Sequence, residues 1–324
     1  MRIQAGLALA LGLGVVAANA EPTTARYAEM EQHRAAAKAA AGLDFDGTLG
    51  VTCIAVDAPQ APPPGVRVAP PRSQWYAKPY KVFDNLYWVG TKFHSSWALK
   101  TSQGIILIDT LFNYAAEPEI IDGLKTLGLD PKTIKYVIVS HGHGDHDEGA
   151  KLLQDRFGAH IVLSAPDWDL EARTPNKPGG LAKRDIVAVD GQKITLGDTS
   201  VTLVATPGHT PGTMSMIFQV KDHGRPLTVA YSGGTAFNFP HTLANYDTYI
   251  ASQRKMAAAA AAAGATILMS NHSQFDDAYD RARVAQLPRK AGEPHPYEIG
   301  AEAVGRYFKV TAECAEAGKL AVGP

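Results

Sequence analysis

Short hydrophobic runs alternate with polar turns from about residue 75 onward, and they predict strands and helices in two similar halves. In the first half we predict strands within 81–90 and at 96–100, 105–109, 134–139 and 160–164, and helices at 118–127, 148–157 and 166–172. In the second half we predict strands at 186–187, 193–196, 201–205, 213–220, 227–232 and 266–269, and helices at 245–263 and 297–317. Strands flanked by helices in both halves indicate an α/β protein built as a four-layer αββα sandwich.

The pattern before residue 74 differs and predicts no core of its own. Met1-Arg2, an apolar run at 5–18 and Ala18-Asn19-Ala20 follow the order of a secretory signal peptide, with an uncleaved anchor as the alternative. A helix is predicted at 22–41, and the proline-rich segment 59–72 is predicted to be an extended connector. We therefore expect a signal peptide at 1–20, an N-terminal extension at 21–73 and one large domain at 74–324. The mature chain is expected to be periplasmic or secreted, without a membrane span.

Composition argues against one class of partner and suggests one covalent link. The 324 residues are 45% hydrophobic and 19% charged, with a formal net charge of -1, so no nucleic-acid partner is expected. In an oxidising compartment the two cysteines, Cys53 and Cys314, favour a disulfide between the N-terminal segment and the last helix. Two separate buried thiols are the alternative, because sequence alone does not give the distance between two cysteines.

Four side chains that can bind a metal lie within six residues directly after the predicted strand 134–139. They are His141, His143, Asp145 and His146. A strand that ends in His-x-His places two imidazoles on the same side of the chain, and neutral imidazole is a common zinc ligand. Asp145 and His146 follow at the start of the next helix, where they can serve a second ion. The alternative, a solvated turn with chance histidines, explains this density of ligands poorly.

Two more histidines come at the ends of later predicted strands. His209 lies in a loop between two Pro-Gly turns, and His272 follows the strand 266–269. Each would be a weak signal alone, but both follow strands, as a ligand must if it is to meet the first cluster at one edge of the sheets. Asp109 closes the strand 105–109 and is the candidate for orienting an imidazole, with a simple turn residue as the alternative.

This set of residues resembles the pattern of the metallo-β-lactamase superfamily, from about residue 75 to the end of the chain. The resemblance implies that His141, His143 and His209 hold one zinc ion and that Asp145, His146 and His272 hold a second. Many superfamily hydrolases carry a metal-bridging Asp after the strand equivalent to 227–232, and another subclass carries a Cys ligand there. This chain has neither, so it resembles most closely the subclass B3 metallo-β-lactamases.

The resemblance implies a secreted di-zinc hydrolase that opens the amide of β-lactam antibiotics by attack of a hydroxide activated by zinc. Asp145 would also orient that hydroxide. Thr235 or Asn238 would bind the substrate carboxylate in place of the serines usual in subclass B3. His94 would roof the site and contact the substrate there. We expect a monomer acting on a small molecule. The alternatives are a periplasmic hydrolase of another ester, lactone or thioester, and a metal-binding protein without turnover.

Overall fold

The computed structural model describes residues 23–54, 68–174 and 176–323. The signal peptide predicted at 1–20 and most of the predicted connector lie outside the described residues. The N-terminal extension begins with α1 (Thr24–Ala41) and α2 (Asp46–Ile54), and the short α3 (Arg72–Trp75) precedes the first strand. Of these three helices, the sequence predicted α1 alone.

Seven strands of the described chain form the first sheet, in the order β1-β2-β3-β4-β5-β6-β7. They are β1 (Tyr80–Lys81), β2 (Leu86–Trp88), β3 (Trp97–Thr101), β4 (Gly104–Ile108), β5 (Ile134–Ile138), β6 (His160–Ser164) and β7 (Ile186–Ala188). The first four strands pair antiparallel, and β4 to β7 pair parallel. Because β4 and β5 are parallel neighbours, Asp109 and the His141 segment leave the sheet at the same edge.

The second sheet has the order β12-β11-β10-β9-β8 among the residues described. Its strands are β8 (Lys193–Leu196), β9 (Thr199–Ala205), β10 (Met214–Asp222), β11 (Arg225–Ser232) and β12 (Ile267–Ser270). Pairing is antiparallel from β8 to β11, whereas β11 and β12 are parallel. The segments that follow β11 and β12 therefore emerge side by side, and His272 follows β12 directly.

Helices cover the outer face of each sheet. The first sheet carries α4 (Asn113–Ala115), α5 (Asp122–Thr126), α6 (Gly144–Asp147), α7 (Ala150–Phe157) and α8 (Ala165–Ala172) on its side of the molecule. The second half supplies α9 (Leu243–Ala262), α10 (Ser273–Asp276), α11 (Ala278–Val284) and α12 (Ala301–Val322). Alternation along β4 shows the layering, because Ile106 packs between the sheets and Leu107 packs against the helices. The predicted αββα sandwich is confirmed.

Two predicted helices of the first half differ from the structure. The helix predicted at 118–127 starts earlier and contains a π-helical turn at Ala116–Ile121, where Pro118 lacks the N–H that a regular α-helix would use. The helix predicted at 148–157 starts two residues later, as α7, and the short α6 lies before it as a separate element, with Gly149 at the junction. A Cβ at Gly149 would lie 2.4 Å from the carbonyl oxygen of Thr110, so the chain passes the segment after β4 too closely for any larger residue.

The extension packs on the last helix and is joined to it covalently. Helices α1 and α2 both contact α12, and the sulfur atoms of Cys53 and Cys314 are bonded, with their Cα atoms 4.7 Å apart. The structure thus contains the disulfide predicted from the sequence. Within the part of the chain described, no helix is both long and apolar enough to cross a membrane.

Removal of the disulfide should destabilise the protein. The bond closes a loop of 261 residues, and loss of such a constraint on the unfolded chain typically costs about 2–4 kcal/mol. We expect the double variant Cys53→Ser/Cys314→Ser to unfold at lower urea concentration than the parent. An unchanged midpoint in urea titrations of the two proteins would contradict this expectation.

Glu119 is a buried carboxyl group that links stability to pH. Its Oε1 accepts the backbone N–H of Ala77 at 2.9 Å. Burial raises the pKa of Glu119 to about 8, although the Ala77 hydrogen bond and the charge of Arg72 act in the opposite direction. The folded state therefore favours the neutral acid. The contribution of this neutral carboxyl group to the free energy of unfolding is complete below pH 4.5, the usual pKa of a glutamate. It is lost as the pH rises toward 8, the pKa of Glu119 in the folded state.

Glu119→Gln should accordingly flatten the pH dependence of stability. The amide keeps an acceptor for Ala77 and carries no charge, so the variant gains relative to the parent between pH 5 and 9 by on the order of a few kcal/mol. Urea unfolding of both proteins across this range measures the difference. Parallel curves for parent and variant would show that Glu119 does not titrate as inferred.

Candidate metal centre

The predicted metal-binding residues meet at one edge of the sandwich, where strands of both sheets end. The segment 141–146 follows β5, and α6 starts within it. His209 lies on the loop between β9 and β10, and His272 caps the start of α10 after β12. The edge therefore collects residues that are up to 131 positions apart in the sequence. The structure brings together all six predicted ligands.

Three imidazoles form the first group. The Nε2 atom of His209 lies 3.1 Å from His141 Nε2 and 3.1 Å from His143 Nδ1. His141 and His209 are almost fully buried, whereas His143 is partly open toward solvent. Ligand atoms of these three residues all lie within 4.8 Å of one another. The group thus presents three nitrogens around one point and remains accessible on the His143 side.

Backbone carbonyls fix the orientation of two of these rings. The Nδ1 atom of His141 donates to the carbonyl oxygen of Gly233 at 2.8 Å, and Nδ1 of His209 donates to that of Ala236 at 2.6 Å. Since a carbonyl oxygen only accepts, each Nδ1 carries the proton and each Nε2 offers a lone pair. Burial, followed by repulsion among the neighbouring rings, holds the pKa of both residues well below the usual range.

The unprotonated Nε2 atoms of His141 and His209 face each other at 3.1 Å, and two such lone pairs fit a shared cation. Burial lowers the pKa of His143 to about 4, so its ring is also neutral at pH 7 and has one nitrogen lone pair to offer. Three neutral imidazoles with an open fourth direction form the donor set of a catalytic zinc site. The residues present therefore fit the metal that the fold family usually carries.

Asp145, His146 and His272 form the second group. Oδ2 of Asp145 lies 3.3 Å from His146 Nε2 and 3.2 Å from His272 Nε2, and the two ring nitrogens are 3.1 Å apart. Burial would raise the pKa of Asp145, but His146 and His272 hold it well below the usual range. Burial would likewise lower the pKa of His146, but Asp145 and Asp109 raise it to about 10. Negative charge thus dominates this pocket, which favours a cation.

Asp109 supports the second group from below. Its Oδ2 accepts from Nδ1 of His146 at 3.1 Å, from the hydroxyl of Ser140 at 2.9 Å and from the hydroxyl of Tyr231 at 3.0 Å. Its Oδ1 accepts the backbone N–H of Ser140 at 2.7 Å. The residue is fully buried and has a left-handed φ of 60°. This placement supports the predicted role of Asp109 in orienting His146.

Sequence reasoning did not find Asp167, which joins the two loops of the first group. One carboxylate oxygen accepts the N–H of Gly142 at 2.9 Å and the hydroxyl of Thr210 at 2.7 Å, and the other accepts the N–H of Gly212 at 3.0 Å. The loops that carry His141 and His209 are thereby held together. The sequence offers no signal for this role beyond an acidic residue in the first turn of α8, which is common in helices.

Asn271 is a second residue that the sequence did not single out. Its Nδ2 donates to the carbonyl oxygen of Gly233 at 2.8 Å, which is also the acceptor for His141. The side chain therefore fixes the carbonyl group that orients a ring of the first group. Its only mark in the sequence is its position directly before His272.

The predicted substrate-binding residues fall into different environments. Thr235 is 1% exposed, and its hydroxyl lies 2.6 Å from that of Tyr307 on α12. This inward placement gives no support to the prediction that Thr235 binds a substrate carboxylate. Asn238 is exposed on the same loop and stays a prediction. His94 lies over the second group, with Nε2 3.6 Å from Oδ2 of Asp145.

Glycines occupy the end of β11, where a bridging carboxylate would stand in many superfamily hydrolases. A Cβ at Gly233 would lie 1.9 Å from the carbonyl oxygen of Met214, and a Cβ at Gly234 would lie 2.6 Å from Cβ of His209. The backbone thus packs directly against β10 and the third histidine. The two ligand groups meet here without an acidic side chain from this loop.

Comparison with known proteins agrees with this geometry. The sequence model of the metallo-beta-lactamase superfamily matches residues 89–257, which is more than half of the chain. The protein belongs to the metallo-β-lactamase superfamily. Membership in this superfamily and the two groups of metal-binding side chains support a metal-dependent hydrolase. The fold implies a metal ion, usually zinc.

Among solved structures, metallo-beta-lactamases resemble this fold. BJP-1, a subclass B3 metallo-beta-lactamase of Bradyrhizobium japonicum, superposes with a TM-score of 0.59 at 28% identity, covering 74% of this chain and 93% of that one. A mutant of the FEZ-1 metallo-beta-lactamase from Legionella gormanii gives a TM-score of 0.64 over the same shares of the two chains, at 23% identity, and shows the fold alone. The predicted resemblance to subclass B3 is confirmed at the level of structure.

Curated sequence relatives have other activities. The chain is 40% identical over 85 residues to a hydroxyacylglutathione hydrolase of Acidiphilium cryptum, covering 26% of this chain and 31% of that protein. It is 26% identical over 185 residues to an N-acyl homoserine lactonase of Bacillus sp, covering 48% of this chain and 70% of that protein. The chain thus spans about a third of the first of these relatives.

Proposed function

We propose that this protein hydrolyses the amide bond of β-lactams with two divalent metal ions, most simply zinc, held by His141, His143 and His209 and by Asp145, His146 and His272. The observation that carries the proposal is the pair of adjacent donor groups with glycines, not a bridging carboxylate, at the end of β11. Structural likeness to a subclass B3 enzyme at 28% identity supports it.

Metal ions in such a centre supply Lewis acidity and lower the pKa of water toward neutrality. The chain's own residues provide the rest of the chemistry. The three histidines of the first group leave the His143 side open, where a carbonyl group can approach. Asp145 directs one oxygen toward the rings of the second group, and its other oxygen would hold the attacking water in line.

Support around the centre keeps this geometry fixed when substrate binds. Asp109 and Asp167 are buried carboxylates that each accept hydrogen bonds from two segments of the centre. Because such bonds fix ring and loop orientations, little reorganisation is needed during turnover. Asn238 remains the proposed contact for the substrate carboxylate.

A second candidate function is hydrolysis of a lactone or a thioester by the same donor set. The curated relatives favour it. The buried hydroxyl of Thr235, which pairs with Tyr307, leaves one fewer candidate contact for the carboxylate of a β-lactam. These substrates share with β-lactams an activated carbonyl group, which is the part that the centre would attack.

One assay separates the candidates. The purified, metal-loaded protein is offered a carbapenem, a cephalosporin, an acyl homoserine lactone and a glutathione thioester, each with and without a chelator. Chelator-sensitive hydrolysis of a β-lactam at the highest kcat/KM supports the first proposal. Faster turnover of the lactone or thioester supports the second candidate. Absence of chelator-sensitive hydrolysis with all four substrates would overturn both.

The domain organisation, cellular location and oligomeric state of the enzyme are also proposals. We propose that residues 74–324 form the hydrolase domain, that residues 21–73 are an extension seated on α12, and that the mature chain works in the periplasm or outside the cell as a monomer. The disulfide between Cys53 and Cys314 supports an oxidising compartment. Cell fractionation and the size of the purified protein in solution test the location and the monomer.

A further inference from the structure

The loop between β2 and β3 is attached to the second donor group by its backbone. The N–H of Ser95 donates to the carbonyl oxygen of Asn271 at 2.9 Å, and the N–H of Ser273 donates to that of Phe93 at 2.9 Å. These bonds lie on either side of an antiparallel bridge between His94 and His272. The backbone of His94 is therefore fixed beside that of His272 by the hydrogen bonds of a β-bridge.

Local contacts fix the ring of His94 as well. Oγ1 of Thr91 accepts the N–H of His94 at 2.9 Å and lies 3.4 Å from its Nδ1. The ring stands edge-on to those of His272 and Phe112, each with centroids 5.0 Å away. With Nδ1 directed at Thr91, Nε2 is directed at the centre. That arrangement orients the ring as a metal ligand needs.

We propose that His94 is a fourth protein ligand of the second metal ion, beside Asp145, His146 and His272. Its Nε2 lies 3.6 Å from Oδ2 of Asp145, which is too long for a hydrogen bond. Ligands about 2.1 Å from a tetrahedral zinc ion lie about 3.4 Å from one another. Asp145 Oδ2 lies 3.2 to 3.6 Å from a ring nitrogen of each of the three histidines, and the ring nitrogens of His146 and His272 are 3.1 Å apart, which matches that spacing. The ligand atoms of His94, Asp145 and His272 all lie within 4.8 Å of one another.

A fourth ligand in the second group would give the two metal sites different roles. Three protein ligands leave zinc an open position, whereas four close a tetrahedral site. The first group keeps its open side, so it carries the substrate carbonyl, and the second group mainly holds charge. This inference rests on the metal-binding part of the proposed function and not on the identity of the substrate. It replaces the prediction that His94 contacts the substrate.

Metal affinity tests the proposal independently of turnover. The full chain is stripped of metal and titrated with Zn²⁺ against a chromophoric chelator, which gives one dissociation constant for each site. Loss of a group that only orients a ligand typically weakens binding about 10–100-fold, so loss of a ligand in His94→Ala should weaken the second site by at least about tenfold. The first-site constant should stay unchanged.

Two matched variants control for indirect effects. Phe93→Ala removes the exposed side chain next to His94 while the backbone bonds of the loop remain, so it reports on loop packing alone. His160→Ala removes an exposed histidine whose Nδ1 pairs with Asp185, away from the centre. Both are expected to keep both zinc affinities. Weakening by Phe93→Ala equal to that of His94→Ala would assign the effect to the loop and overturn the proposal.

X-ray absorption of the di-cobalt protein provides a readout that needs no variant. Six imidazoles shared by two ions are expected if His94 is a ligand, and five would overturn the proposal. A wild-type protein that binds two ions, with an unchanged second site in His94→Ala, refutes the role of His94 and leaves the proposed function intact. A wild-type protein that binds a single ion refutes both.

Discussion

Asp145→Asn is expected to lower metal-dependent hydrolysis by at least about a hundredfold. Loss of a residue that merely orients a metal ligand typically costs 10–100-fold, and Asp145 is proposed to bind the metal itself and to hold the attacking water. Its Oδ2 lies within 3.3 Å of nitrogens on both His146 and His272, and an amide nitrogen in that place would offer a metal ion no lone pair. The comparison is kcat/KM at saturating Zn²⁺, with the metal content measured on the same samples.

Asp155→Asn serves as the control for Asp145→Asn. Asp155 is an exposed carboxylate on α7 that pairs with Lys151, and it lies outside both donor groups. The same chemical change there should leave turnover unaltered. Activity in Asp145→Asn above a tenth of the parent value, with two zinc ions still bound, would show that this carboxylate takes no part in the reaction.

The sequence reveals the candidate centre most directly where its proposed ligands lie close together in the chain. His141, His143, Asp145 and His146 lie in one hexapeptide, so local spacing alone reveals them. His209 and His272 are found because each follows a strand, and strand ends of a sandwich meet at its edges. The layering is predicted for the same reason, since alternation along a strand is set by neighbours in sequence.

Residues whose role depends on distant loops could not be predicted. Asp167 acts on Gly142 and Gly212, which are 25 and 45 positions away, and nothing in its own segment indicates either partner. His94 was expected above the site, but its position beside His272 depends on backbone bonds between segments far apart in the chain. Thr235 shows the same dependence, because only the packing of α12 shows that its hydroxyl is turned inward.

Exact helix boundaries escaped prediction for a related reason. The pattern predicts a helix from residue 148, and only the approach of Thr110 to Gly149 shows why α7 begins after that glycine. The helix α2 was missed because it has few polar positions to mark a face, and its stability comes from α12 and the disulfide. The position and stability of such helices depend on tertiary contacts, which the hydrophobic pattern of the sequence does not reveal.

Asp109→Asn is expected to weaken the second metal site about 10–100-fold while the first site keeps its affinity. Four donor groups converge on this carboxylate, from Ser140, Tyr231 and His146. An amide has one acceptor oxygen and one donor nitrogen, so part of this set loses its partner and His146 is no longer held with Nε2 toward the ion. Asparagine tolerates the φ of 60° as aspartate does, so backbone strain does not change.

Asp167→Asn is the matched comparison, because it makes the same change in a buried carboxylate that supports the other group. Its partners Gly142, Thr210 and Gly212 lie beside His141 and His209, so it should weaken the first site and spare the second. Zinc titration of both variants against a chelator reads the two constants separately. Equal weakening of both sites in both variants would mean that the carboxylates stabilise the fold as a whole, and the assignment of each to one donor group would then be wrong.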